Sequence, residues 1–112
     1  MNATGVFLLV IAACLEVGGD AVVRLGLKNF SGPAQIATIA AGGVVLLAYG
    51  IFVNWAPADF GRLLGIYVVL FFVVAQVVNL VVFATRPSLA IVAGGALIAA
   101  GGLVITYWNV PA

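Results

Sequence analysis

The sequence has no histidine, one cysteine and very little charge. Without imidazoles and with Cys14 as the sole thiol, it cannot assemble an ordinary transition-metal site from nitrogen and sulfur ligands. Nor can it close an intrachain disulfide. Charged residues make up 6% of 112 positions: Arg24, Lys28, Arg62 and Arg86 against Glu16, Asp20 and Asp59. No basic patch points to nucleic acid and no acidic run points to a solvated tail. There is also no nucleophile, general acid/base constellation or phosphate-cradling loop, so neither an enzyme nor a cofactor is expected.

What fills the chain is apolar surface, 66% of it hydrophobic. That balance is far from a soluble domain and marks an all-α integral membrane protein whose partners are lipid, other helices and small solutes. A bilayer core needs about 20 apolar residues per helix. Four such stretches are predicted, near residues 5–27, 34–55, 63–84 and 88–108, forming one four-helix transmembrane domain. The connections NFSGP, APADFGR and TRP are short, and Pro33 and Pro87 fall where a helix can start without losing a needed amide. Short turns impose an up-and-down path with both termini on one side. IAAC at residues 11–14 has the small-residue pattern of a lipoprotein cleavage site. Residues 1–4 carry no Lys or Arg, however, and the apolar run continues past Cys14 through two acids, so a retained first helix is expected.

Trp55, Tyr107 and Trp108 lie at predicted helix ends, where aromatic rings anchor at the interface. Lys28 and Arg86, with Arg24 nearby, outnumber Arg62 on the opposite side, a small bias that places both termini outside. Small residues recur at helical spacing, Gly43 with Gly50 in the second helix and Gly94, Gly95, Gly101 and Gly102 in the fourth. Such stripes let helix backbones approach in lipid. The uncharged, glycine-rich fourth helix is expected to pack against a second copy; packing within one bundle is the alternative.

The charge is concentrated in CLEVGGDAVVRLGLK, where Glu16, Asp20, Arg24 and Lys28 follow one another at steps of four. Each step turns about 400°, so the four stay on one helix face. At about 1.5 Å per residue Glu16 sits near the bilayer midplane, Asp20 about 6 Å from it, Arg24 about 12 Å, and Lys28 at the interface. Asp20 and Arg24 have ion-pair spacing and are either a structural pair or the lining of a solute path. Glu16 has no basic residue one turn before it, and Asp20 one turn after is of like sign. A charge at that depth costs about 3 kcal/mol on insertion scales. A carboxyl that holds either a proton or a cation is the minimum apparatus for proton-coupled exchange; its structural alternative is a protonated group bonded across helices. Tyr49 and Tyr67 can offer it a hydroxyl, and a cation a ring face. Gln76 and Asn79, three apart, share a face suited to a bond to another helix.

These residues resemble the small multidrug resistance superfamily of proton-coupled exporters: four helices, a glutamate halfway along the first in LEVGG, and a glycine-rich fourth helix. PADFGRLLGIY at 57–67 and GALIAAGGLVI at 95–105 look more closely like its YnfA branch. The resemblance implies an antiparallel homodimer in the bacterial inner membrane, with the two first-helix glutamates facing a shared pocket that exchanges protons for a small or lipophilic cation. It matches Glu16 to the proton and substrate carboxylate and Gly61, Arg62 and Tyr67 to the branch's third-helix motif. Gly95, Gly101 and Gly102 fall in the helix used for dimer contact. The tryptophan of the well-known multidrug exporters is missing from GIYVVLFFVV, and Asp20 and Arg24 are additional intramembrane charges. Two other readings compete: a non-transporting assembly subunit that docks through the charged stripe, and a translocator of a zwitterionic or lipid-linked headgroup held by Arg24.

Overall fold

The computed structural model describes residues 3–55 and 59–108. Four helices follow in order: α1 Ala3–Asn29, α2 Gly32–Trp55, α3 Phe60–Val81 and α4 Leu89–Tyr107. All four are long and apolar enough to cross a membrane. The helices form a flattened array of 54 × 34 × 20 Å. α1 is its centre, packed on one side by α2 and on the other by α3, while α4 leans on α3.

Helix boundaries depart from the predicted ones where the chain caps itself. Asp59 accepts the Arg62 amide at 2.9 Å and starts α3 at Phe60, three residues before the predicted start. Ser88 likewise is the cap of α4 rather than its first residue, accepting the Ile91 amide at 3.2 Å. α3 stops at Val81 instead of running to residue 84. There the Thr85 amide reaches back to the Asn79 carbonyl at 3.1 Å, with Ala84 between them in the left-handed region at φ 51. Gly32, at φ 62, makes the tight reversal between α1 and α2 without the steric penalty a side chain would bring. Gln35 seals that reversal by donating to the carbonyls of Phe30 and Gly26 at 3.0 and 3.3 Å.

Gly5, Ala12, Gly19 and Gly26 recur every seven residues along α1 and are all buried. A Cβ on Gly19 would meet Leu46 at 2.8 Å, and one on Gly42 would meet Val23 at 2.6 Å and the Gly19 carbonyl at 2.9 Å. The α1–α2 contact is therefore a backbone-to-backbone approach. The close glycine on α2 is Gly42; the expected stripe of Gly43 and Gly50 meets open space. One residue is about 100° of helix rotation, enough to move a side chain from contact to lipid.

α4 lies on α3 through the same device. Gly65 accommodates Ile105, Gly95 accommodates the Phe72 ring, and Gly102 accommodates Val69. The Arg62 guanidinium then donates to the Thr106 carbonyl at 2.7 Å, closing the carboxyl end of α4 against the start of α3.

Candidate functional site

A buried hydrophobic cluster surrounds the first half of α1. Leu9, Ala12 and Ala13 join Val53 of α2 and Leu63 and Tyr67 of α3 in a single buried cluster, flanked by Tyr49, Phe52 and Phe71. This cluster ends at Glu16, the middle residue of α1. The Tyr67 hydroxyl donates to Glu16 Oε2 at 3.2 Å, while its ring is 4% exposed. Tyr49 lies against Tyr67 with ring centroids 5.8 Å apart and planes inclined by 30°, and Phe71 flanks the other side at 6.2 Å.

Three helices thus converge on one carboxyl. α1 supplies it, α3 supplies a hydroxyl donor, and α2 supplies a second aromatic ring that holds the first in place. Glu16 itself is half-buried, so its carboxyl is held on one oxygen and keeps some exposure. A donor on one oxygen leaves the other free to take a proton or a cation, and the tyrosine faces offer a cation further attraction.

Asp20 and Arg24 continue along the same face toward the α1–α2 turn, and both are exposed. They form no ion pair with each other; among the described residues there is none. The Arg24 guanidinium instead lies over the Phe83 ring, 5.7 Å from its centroid. Asp20 and Arg24 both border a cavity of about 250 Å³ between α1 and α3, with Phe71, Asn79 and Phe83 on its far wall. Gln76 and Asn79 do not act as a joint bridge: Asn79 faces this cavity, whereas the Gln76 Oε1 is buried without a hydrogen-bond partner.

Gly95 and Gly102 are taken up by packing against α3 of the same chain. Gly101 and Gly94 meet nothing within 4 Å and lie on the open side of α4 with exposed Leu97 and Val104. Within the third-helix motif, Arg62 holds the end of α4 and Tyr67 holds Glu16, while Gly61 is exposed. Pro57 and Ala58 lie outside the described residues. Trp55, Tyr107 and Trp108 are exposed at helix ends, as interface anchors require. Lys28 is exposed at the end of α1.

Sequence comparison places the whole chain. The family model described as "Uncharacterised BCR, YnfA/UPF0060 family" matches residues 3–110. A UPF0060 membrane protein of Streptomyces coelicolor is 35% identical over 103 residues, covering 90% of this chain and 88% of its own. Others from Mycolicibacterium vanbaalenii and Mycobacterium marinum are 34% and 32% identical, the first covering 89% of this chain and 91% of its own, the second 96% of each. No solved structure matches.

Proposed function

The chain belongs to the YnfA/UPF0060 family of membrane proteins, and we propose that it is a proton-coupled exporter of small or lipophilic cations, working as a homodimer in the bacterial cytoplasmic membrane. The observation that carries this reading is the Glu16 carboxyl at the middle of a membrane-spanning helix, fixed on one oxygen by the Tyr67 hydroxyl. Proton and cation compete for the same group. Binding a cation releases the proton, and protonation releases the cation, so transport in one direction is tied to proton flow in the other.

The tyrosine pair gives the cation a second source of attraction that needs no charge. A second copy suits this mechanism, because α4 leans only on α3 and leaves its other face open. The open face of α4, with Gly94 and Gly101, suits a close helix contact with that copy. Two copies inserted in opposite directions would present the same pocket alternately to each side.

The test is proton flux in proteoliposomes under a pH gradient, screening guanidinium and quaternary ammonium compounds with wild-type protein beside Glu16→Gln. The proposal requires a substrate-dependent flux that the substitution abolishes and that Glu16→Asp partly restores. A folded wild-type protein without flux for any of these cations, together with a co-purifying protein lost on Arg24→Gln, would replace it with the docking-subunit reading.

A further inference from the structure

Asp20 and Arg24 lie apart from the Tyr67–Glu16 bond, and their arrangement has its own logic. A carboxylate and a guanidinium at ion-pair spacing on one helix would neutralise each other if nothing else were asked of them. Here Arg24 is drawn aside over Phe83. That ring is delivered by the early end of α3, whose chain turns at Ala84 immediately after it. The two charges are thereby held apart along one wall of a partly open 250 Å³ cavity.

A site of this kind selects by sign. A simple cation drawn to Asp20 meets the repulsion of Arg24, and a simple anion drawn to Arg24 meets that of Asp20. Only a ligand carrying both signs satisfies both groups. The two side chains stem from positions about 6 Å apart along the helix axis, close to the span of an aminoethyl phosphate. The planar guanidinium fork suits phosphate or carboxylate oxygens. Asp20 and the Asn79 amide suit the N–H donors of a primary ammonium, and Phe71 and Phe83 border its methylene bridge.

We infer that the α1–α3 cavity binds a zwitterion of primary ammonium and phosphate, its ammonium on Asp20 and its phosphate on Arg24. The same chemistry occurs in a free phosphoamine and in an ethanolamine lipid headgroup. Complete methylation of the ammonium removes the N–H donors and so weakens binding at Asp20, while a glycerol headgroup lacks the cation altogether.

Equilibrium binding to purified, delipidated full-length protein tests this without any gradient, so its result is independent of exchange at Glu16. One arm uses radiolabelled O-phosphoethanolamine. The other uses native mass spectrometry with dihexanoyl lipids bearing ethanolamine, choline or glycerol headgroups. The inference requires the ethanolamine form of at least one probe to bind, with the ethanolamine lipid favoured at least tenfold over the choline and glycerol lipids wherever the lipid binds. Asp20→Asn and Arg24→Gln must each lower affinity at least tenfold, and Arg24→Lys less than Arg24→Gln. Binding in the first arm alone identifies a free solute, and binding in the second alone identifies a lipid. Failure of both ethanolamine probes, equal binding of all three lipids, or folded Asp20→Asn and Arg24→Gln proteins with unchanged affinity would each overturn it. If those variants do not fold, the headgroup preference of the wild-type protein decides.

Discussion

The Tyr67 hydroxyl and the Glu16 carboxylate meet at 3.2 Å across helices that are 51 positions apart in sequence. This bond joins an acid at the middle of α1 to the buried cluster that holds Tyr67. Tyr67→Phe keeps the ring and removes only the donor. It is expected to weaken substrate-driven proton flux roughly tenfold, about 1.4 kcal/mol, with thermal stability nearly unchanged. Tyr67→Ala empties a buried site and should cost about 3–5 kcal/mol in stability. Flux and melting temperature of the two variants, measured side by side, separate the two contributions.

The α1–α2 contact depends on Gly42 and not on its neighbour. A Cβ at position 42 meets Val23 and the Gly19 carbonyl, whereas one at position 43 meets nothing within 4 Å. Gly42→Leu should destabilise the protein by more than about 2 kcal/mol and sharply lower the yield of folded material, while Gly43→Leu should be tolerated. Thermal unfolding in detergent reads the difference.

Arg62 acts on α4 from α3. Replacing it with Gln removes the charge beside the carboxyl end of α4 and its bond to the Thr106 carbonyl. The expected result is local: about 1 kcal/mol or less in global stability, with several-fold faster amide exchange over residues 103–108. Uniform acceleration throughout the protein would contradict a local role.

The two faces of α4 should separate by mutation. Gly102→Leu collides with Val69 of the same chain and is expected to detach α4 and lose the fold. Gly101→Leu points into open space and should leave the single chain intact while lowering the dimer fraction, measured by crosslinking in membranes. A folded Gly101→Leu protein with undiminished crosslinking would remove the open face from the dimer contact.

Much of this architecture is legible in the sequence because the bilayer imposes a length and an apolarity that few soluble elements share. Glu16 stands out for a related reason, since a charge at that depth is costly enough to demand a use. The rest is decided by helix rotation and by contacts between distant segments. Gly42 and Gly43 are indistinguishable in composition, yet only one faces α1. The seven-residue run Gly5, Ala12, Gly19, Gly26 is a pattern in the sequence, but it shares its helix with the more conspicuous charged stripe. Asp59 and Ser88 are legible as caps once their side chains are weighed against the apolar run that follows them. The separation of Arg24 from Asp20 depends on where α3 ends, and nothing in the spacing of α1 announces the Phe83 ring.

The central claim is that one carboxyl is occupied by either a proton or a cation. Proton release on adding a transported cation to purified protein in weakly buffered detergent solution measures that competition directly. The account predicts protons released in proportion to the cation bound by the wild-type protein and none from Glu16→Gln. Equal release from both proteins, or cation binding by wild type without any release, would contradict it.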